Sequence, residues 1–185
     1  MGEGISHTGM PGGGLPGRPG FCPADPVAVF STFQAMTDIT TIHGIDSVRK
    51  QVFGCRGILI AFSGGVDSGL LAALALDARG VRVHAAFIDS PFAPRSALRE
   101  AEEMARQLGL PLDIIHAPFP DATVSSNPPD RCYHCKKSWA RLLSKRAGEL
   151  GLSCVADGAN LSDLSEHRPG LRASTEEGII HPFIE

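Results

Sequence analysis

The sequence has no long apolar run. Nothing in it approaches the roughly 18 consecutive apolar residues that a membrane span needs, so the chain is not read as crossing a bilayer. Its N-terminus lacks a charged start leading into an apolar core, so no secretory signal is read there. Neither sign of charge dominates: 17 basic residues stand against 20 acidic ones, a formal net charge of −3. That gives no electrostatic reason to expect a nucleic-acid or membrane-surface partner. Cysteine is sparse and odd in number, 5 in 185 residues, which does not suit a disulfide framework. These absences lead to the expectation of a reduced, cytoplasmic protein, with its oligomeric state left open. What remains is ordinary globular material, 43% apolar, in a length suited to one domain.

The N-terminal stretch differs from the rest. Gly9 to Gly20, GMPGGGLPGRPG, is mostly glycine and proline and cannot bury enough apolar surface to offset its ordering entropy. Residues 1–35 are read as a disordered leader, of which Met1–Pro26 is expected to be dispensable, and residues 36–185 as the folded domain. Within the domain, short apolar runs suited to buried strands alternate with helical spacing. Strands are expected at Gly57–Phe62, Val81–Ile88, Leu112–His116 and Ser153–Ala156, with a fifth beginning at Ile179. Helices are expected at Asp46–Phe53, Ser68–Arg79, Pro94–Leu108 and Cys132–Leu150. Ala117–Arg131 is read as a loop, and so is the polar stretch from Asp157 to Glu177. The alternation predicts an α/β fold with a parallel sheet flanked by helices. Ligands of such sheets bind at the carboxyl ends of the strands, so the informative residues should follow the first, second and fourth strands.

The first of these exits reads FSGGVDSGL, Phe62 to Leu70. Gly64 and Gly65 let the backbone turn tightly and approach a ligand. The helix that follows offers unpaired N–H groups and a positive dipole end, a site suited to phosphate. Ser63 and Ser68 add hydroxyl donors. Asp67 would repel phosphate unless a cation lay between them, which points to Mg²⁺ held at Asp67. The competing reading is a plain strand–helix turn with Ser68 or Asp67 as the helix cap. The Walker string is absent.

The string SGGVDS resembles the PP-loop of the ATP pyrophosphatase, or adenine nucleotide alpha hydrolase, superfamily. That resemblance implies a Rossmann-like fold of the HUP type, binding of ATP with Mg²⁺, and cleavage between the α- and β-phosphates while a substrate oxygen receives AMP. Three further stretches narrow it: FIDSPF at Phe87–Phe92, NPPDRCYHCKK at Asn127–Lys137, and DGANLSDLSEHRPGLRA at Asp157–Ala173. Together they resemble the ATP-dependent sacrificial sulfur transferase family (LarE), which serves maturation of the nickel-pincer cofactor of lactate racemase. The family implies adenylation of a carboxylate on a pyridinium biscarboxylate mononucleotide, followed by attack of a cysteine sulfur. Its donor or cluster cysteines lie beyond the Arg168–Gly170 turn, and no cysteine here follows Cys154. The expectation is therefore the family's N-terminal ATP-binding portion, able to bind ATP but not to transfer sulfur. Two rivals stand beside it: an ammonia-using ligase of the NAD or GMP synthetase kind, and a non-catalytic nucleotide-binding module.

The catalytic candidates are Asp67, Ser68 and Arg168. The nucleotide-binding candidates are Ser63, Gly64, Gly65, Asp67, Ser68, Asp89, Asp157 and Asn160. Arg131, Lys136, Lys137 and Arg172 are candidates for anions, with Glu166 and His167 behind them. Cys132 and Cys135 invite a metal or redox reading, although free cysteines usually pack as small apolar groups and a structural zinc would need four ligands. Cys22, Cys55 and Cys154 are expected to be inert.

Overall fold

Four strands built from β-branched and aliphatic residues alternate with helices. The computed structural model describes residues 43–117, 128–164 and 169–184. In chain order these are α1 (His43–Phe53), β1 (Gly57–Ala61), α2 (Val66–Asp77), β2 (Arg82–Asp89), α3 (Arg95–Leu108), β3 (Leu112–His116), α4 (Arg131–Glu149), β4 (Cys154–Asp157), a 3₁₀ turn (Leu161–Leu164) and α5 (Pro169–Glu176). The strands form one parallel sheet in the order β3-β2-β1-β4. The chain moves outward from β1 to β3, then returns across the sheet to place β4 on the other side of β1. That reversal creates a switch point at the carboxyl ends of β1 and β4, where such sheets hold ligands.

Alternation along β1 explains the two-sided core. Ile58 and Ile60 face a cluster that includes Val48 and Val52 of α1, Leu71 and Ala75 of α2, and Ala101 and Ala105 of α3. Leu59 faces the other way and packs with Ala86, Val155, and Ala140, Leu143 and Ala147 of α4. All three β1 residues are fully buried. Burying such side chains contributes about 1.5–3 kcal/mol each, and a strand covered on both faces needs an unbroken apolar run.

Three expectations are corrected. The polar stretch after β4 is not all loop: it contains the 3₁₀ turn and α5, whose Gly170, Ala173 and Ser174 are buried and whose other face carries the charges. No fifth strand forms among the described residues. Ile180 makes only an isolated parallel bridge to Ala156, and Phe183 one to Asn160, because two apolar residues followed by His181-Pro182 are too few to extend a ladder. Cys55 and Cys154 are not inert thiols but a disulfide. Each sits at the amino end of the sheet, one after α1 and the other opening β4, and register places Cys154 opposite Ile58. Packing, not spacing, brings them together, which is why a chain separation of 99 residues hid the pair. The leader, the centre of the Ala117–Arg131 loop and residues 165–168 lie outside the described residues.

Candidate nucleotide site at the strand exits

The turn between β1 and α2 is built around Gly64. Its φ of +78° is the left-handed region, which glycine adopts without strain. A Cβ there would also stand 2.6 Å from the backbone nitrogen of Ala101 on α3. Gly65 differs: its φ is −80°, and it is the N-cap of α2 with no side-chain cap. Neither Ser68 nor Asp67 is the helix cap that the competing plain-turn reading named. Ser68 is buried and turns its hydroxyl back to the Gly65 carbonyl at 3.0 Å, while its oxygen accepts from the Ser63 backbone N–H at 3.3 Å. The Ser63 hydroxyl lies 3.1 Å from that of Ser68 and accepts from the Gly65 N–H at 3.2 Å. These bonds hold the loop's shape, and no side chain caps the first turn of α2, as an anion site at a helix start requires.

The β4 exit closes against this turn. A Cβ on Gly158 would stand 2.8 Å from the backbone nitrogen of Ser68, so only glycine allows this approach. Gly158 was not singled out from sequence; the only signal was its place directly after Asp157 at a strand end. Asn160 donates from Nδ2 to Asp67 Oδ2 at 3.3 Å. The Asp67 side chain is exposed and lies in the wall of a cavity of about 860 Å³. That cavity also takes in Ser63, Gly65 and Ser68 from the loop, Ser90 and Phe92 after β2, and Arg131, Cys132, Cys135 and Lys136 from the start of α4.

Other candidates fall elsewhere. Asp89 is not in the cavity wall. Both its oxygens accept from Arg95, which holds its carboxyl below the usual range despite partial burial, with His116 at 3.1 Å adding to the effect. Buried Ser90 and the aromatic Phe92 take its expected place at the cavity. Asp157 does reach the wall, but its Oδ1 is already engaged by His181 Nδ1 at 2.7 Å and the Ala159 N–H at 3.1 Å. It shapes the exit loop instead of offering that oxygen to a metal. Lys137 and Arg172 are drawn away from any anion: Lys137 donates to the Tyr133 hydroxyl at 2.8 Å and Glu176 at 3.3 Å, and Arg172 to Glu176 at 2.8 Å. Tyr133 also hydrogen-bonds Glu176. This network ties α4 to α5. Arg131 stacks on Phe92 at 4.7 Å and Lys136 approaches Trp139 at 5.6 Å, so both stay at the cavity. Arg168, Glu166 and His167 lie outside the described residues. Sequence reasoning also missed His181, a buried side chain with nothing in its neighbourhood of the chain to mark it.

A family model described as NAD synthase matches residues 41–130. The chain is 34% identical over 129 residues to the pyridinium-3,5-bisthiocarboxylic acid mononucleotide synthase of Lactiplantibacillus plantarum, covering 65% of this chain and 45% of that protein. It is 36% identical over 136 residues to an uncharacterized protein of Methanocaldococcus jannaschii, covering 74% of this chain and 52% of that one. Over residues 41–130 the chain thus resembles the PP-loop ATP pyrophosphatase superfamily to which such synthetases belong. Its fold agrees with that of the glutamine-dependent NAD+ synthetase from Acinetobacter baumannii in complex with ADP, at TM-score 0.52 and 26% identity over 66% of this chain and 25% of that one. The NH3-dependent NAD synthetase from Campylobacter jejuni shares the fold at TM-score 0.51 and 22% identity, over 65% of this chain and 56% of that one. This is the HUP-type PP-loop fold expected from the sequence. The chain spans about half the length of the first curated relatives it matches. Among the described residues no helix is long and apolar enough to cross a membrane.

Proposed function

We propose that this PP-loop protein uses ATP to adenylate a substrate carboxylate, releasing pyrophosphate, and that the activated carbon then receives sulfur. The observation that carries this is the first turn of α2, without a side-chain cap and held by Ser63, Gly64 and Ser68, in the wall of a cavity that Arg131 and Lys136 also line. Adenylation builds negative charge on departing pyrophosphate, and fixed N–H donors aimed at it stabilise that charge in the transition state. In this reading the hydroxyl of Ser63 and the first N–H groups of α2 would meet the phosphates. The apolar wall of Phe87, Ile88 and Phe92 suits the adenine. The synthetase solved with ADP shares this fold, which supports nucleotide binding here.

The residues present fit Mg²⁺. Asp67 is an exposed carboxylate beside the phosphate turn, with one oxygen steadied by Asn160, and hard oxygen ligands are what Mg²⁺ takes. Bound there, Mg²⁺ would neutralise and orient the phosphates. Asp67 would hold it, Ser68 would keep the loop in shape, and Arg131 and Lys136 would meet the substrate's anionic groups. Arg168 is proposed as a further contact from the RPG string of the sequence alone. The resemblance to the bisthiocarboxylic acid mononucleotide synthase favours a pyridinium biscarboxylate mononucleotide as substrate and a role in nickel-pincer cofactor maturation.

The test is pyrophosphate release from ATP and Mg²⁺ with that mononucleotide, run beside deamido-NAD with ammonia. Release that depends on the biscarboxylate supports the reading. Release that depends on ammonia makes the protein an amide-forming ligase, and tight ATP binding with no release in either arm makes it a binding module.

A further inference from the structure

The two thiols at the start of α4 take no part in the adenylation described above, yet they line the same cavity as the phosphate turn. Cys132 is exposed and Cys135 half-buried, and neither is in a disulfide. They lie three residues apart in the opening turns of a helix, on one face, a separation that a disulfide can bridge. Arg131 and Lys136 flank them, and both of those cations stay at the cavity through their aromatic partners. Burial pushes the Cys135 thiol up against the pull of the two cations. The pair thus has the asymmetry of a working dithiol: an outer sulfur open to attack and an inner one sheltered until needed.

We propose that Cys132 carries sulfur into the nucleotide cavity as a persulfide and that Cys135 releases it. This rests on the adenylation reading for its acceptor, though not for the dithiol chemistry itself. In loading, the Cys132 thiolate attacks a sulfane-sulfur donor such as an inorganic polysulfide. A Cys132 S–S bond forms, and the donor leaves one sulfur shorter. In transfer, the outer sulfur attacks the carbon of the acyl adenylate, the carbon–oxygen bond to AMP breaks, and AMP departs with its electron pair. The Cys135 thiolate, its proton given to solvent, then attacks the inner sulfur of Cys132. The outer sulfur leaves with its electrons as the thiocarboxylate, and a Cys132–Cys135 disulfide remains. A dithiol reductant restores both thiols.

The whole chain is treated with inorganic polysulfide, desalted and examined by peptide mass spectrometry with sulfide assay. Wild type should release sulfide and yield a Cys132–Lys136 peptide carrying an internal disulfide. Cys135→Ser should instead retain one added sulfur on Cys132, and Cys132→Ser should do neither. ATP with Mg²⁺ should slow alkylation of Cys132 several-fold while leaving Cys22 unaffected. Sulfur added indifferently to Cys22, Cys132 and Cys135, or no disulfide in the wild type, would overturn the sulfur-carrier role. A normal persulfide and disulfide with no ATP protection would instead sink the placing of the dithiol in a nucleotide site. Persulfide chemistry intact, with pyrophosphate release dependent on ammonia, would leave the dithiol standing and remove its acceptor.

Discussion

Gly64 and Gly65 are neighbours with different duties, and each duty gives a prediction. Gly64 has a left-handed φ and a backbone neighbour where a Cβ would go. Gly64→Ala should destabilise the fold by about 2–4 kcal/mol, strain and clash together, read as a lowered urea midpoint. Gly65 has an ordinary φ, and its added Cβ would meet only the Ser63 hydroxyl at 3.3 Å. Gly65→Val should leave the midpoint nearly unchanged and weaken ATP by about a hundredfold, roughly 2.7 kcal/mol, in calorimetric titration; equal affinity in the two proteins would remove the loop from nucleotide binding. Glu176 supplies a pH prediction at the same scale. The Tyr133 hydroxyl and the Arg172 guanidinium hold its carboxyl down, from an ordinary 4.5 to about 2. A lowered folded value stabilises the fold above the unfolded value and is lost on acidification. The wild type should therefore lose melting temperature between about pH 4.5 and pH 2, and Glu176→Gln should flatten that part of the profile.

Among the elements, the β4 exit carries the most consequence. Asp157 is held by His181, and His181 Nε2 lies 2.9 Å from the Thr175 hydroxyl on α5. This chain of contacts fixes the loop that brings Gly158 against the first turn of α2 and Asn160 against Asp67. It also joins α5 to the phosphate side of the cavity. Removing His181 leaves a partly buried Asp157 oxygen short of a partner, which costs about 1–3 kcal/mol. His181→Ala should lower stability by that amount and weaken ATP about tenfold, roughly 1.4 kcal/mol. His181→Asn, which keeps a donor near Asp157, should recover part of the affinity. No recovery would mean that His181 only fills space.

For the whole molecule, the Cys55–Cys154 disulfide matters most. It ties β4 to the segment that precedes β1 across a separation of 99 residues. Removing such a link typically costs about 2–4 kcal/mol, chiefly by freeing the unfolded chain. Cys154→Ser, or wild type in strong reductant, should show a drop of that size in denaturant unfolding. Coincident curves with and without reductant would show that the bond does not contribute. The same treatment regenerates the Cys132–Cys135 dithiol, so the comparison needs the Cys132→Ser background.

Much of the fold was legible in the chain because period and punctuation are local. The apolar run of β1, the helical spacing of α3 and the glycine turn after Phe62 each declare themselves within a dozen residues, and the SGGVDS string carried the resemblance to the superfamily with them. Packing decided what no window of sequence contains. It joined Cys55 to Cys154, set buried His181 on Asp157, and diverted Asp89 to Arg95 and Lys137 to Glu176. It also pressed Gly158 onto the phosphate turn and brought the thiols of α4 to the same cavity. A side chain's local sequence fixes what it can bond, but its partner is chosen by which strand ends the sheet order sets side by side, and that order is a property of the assembled core.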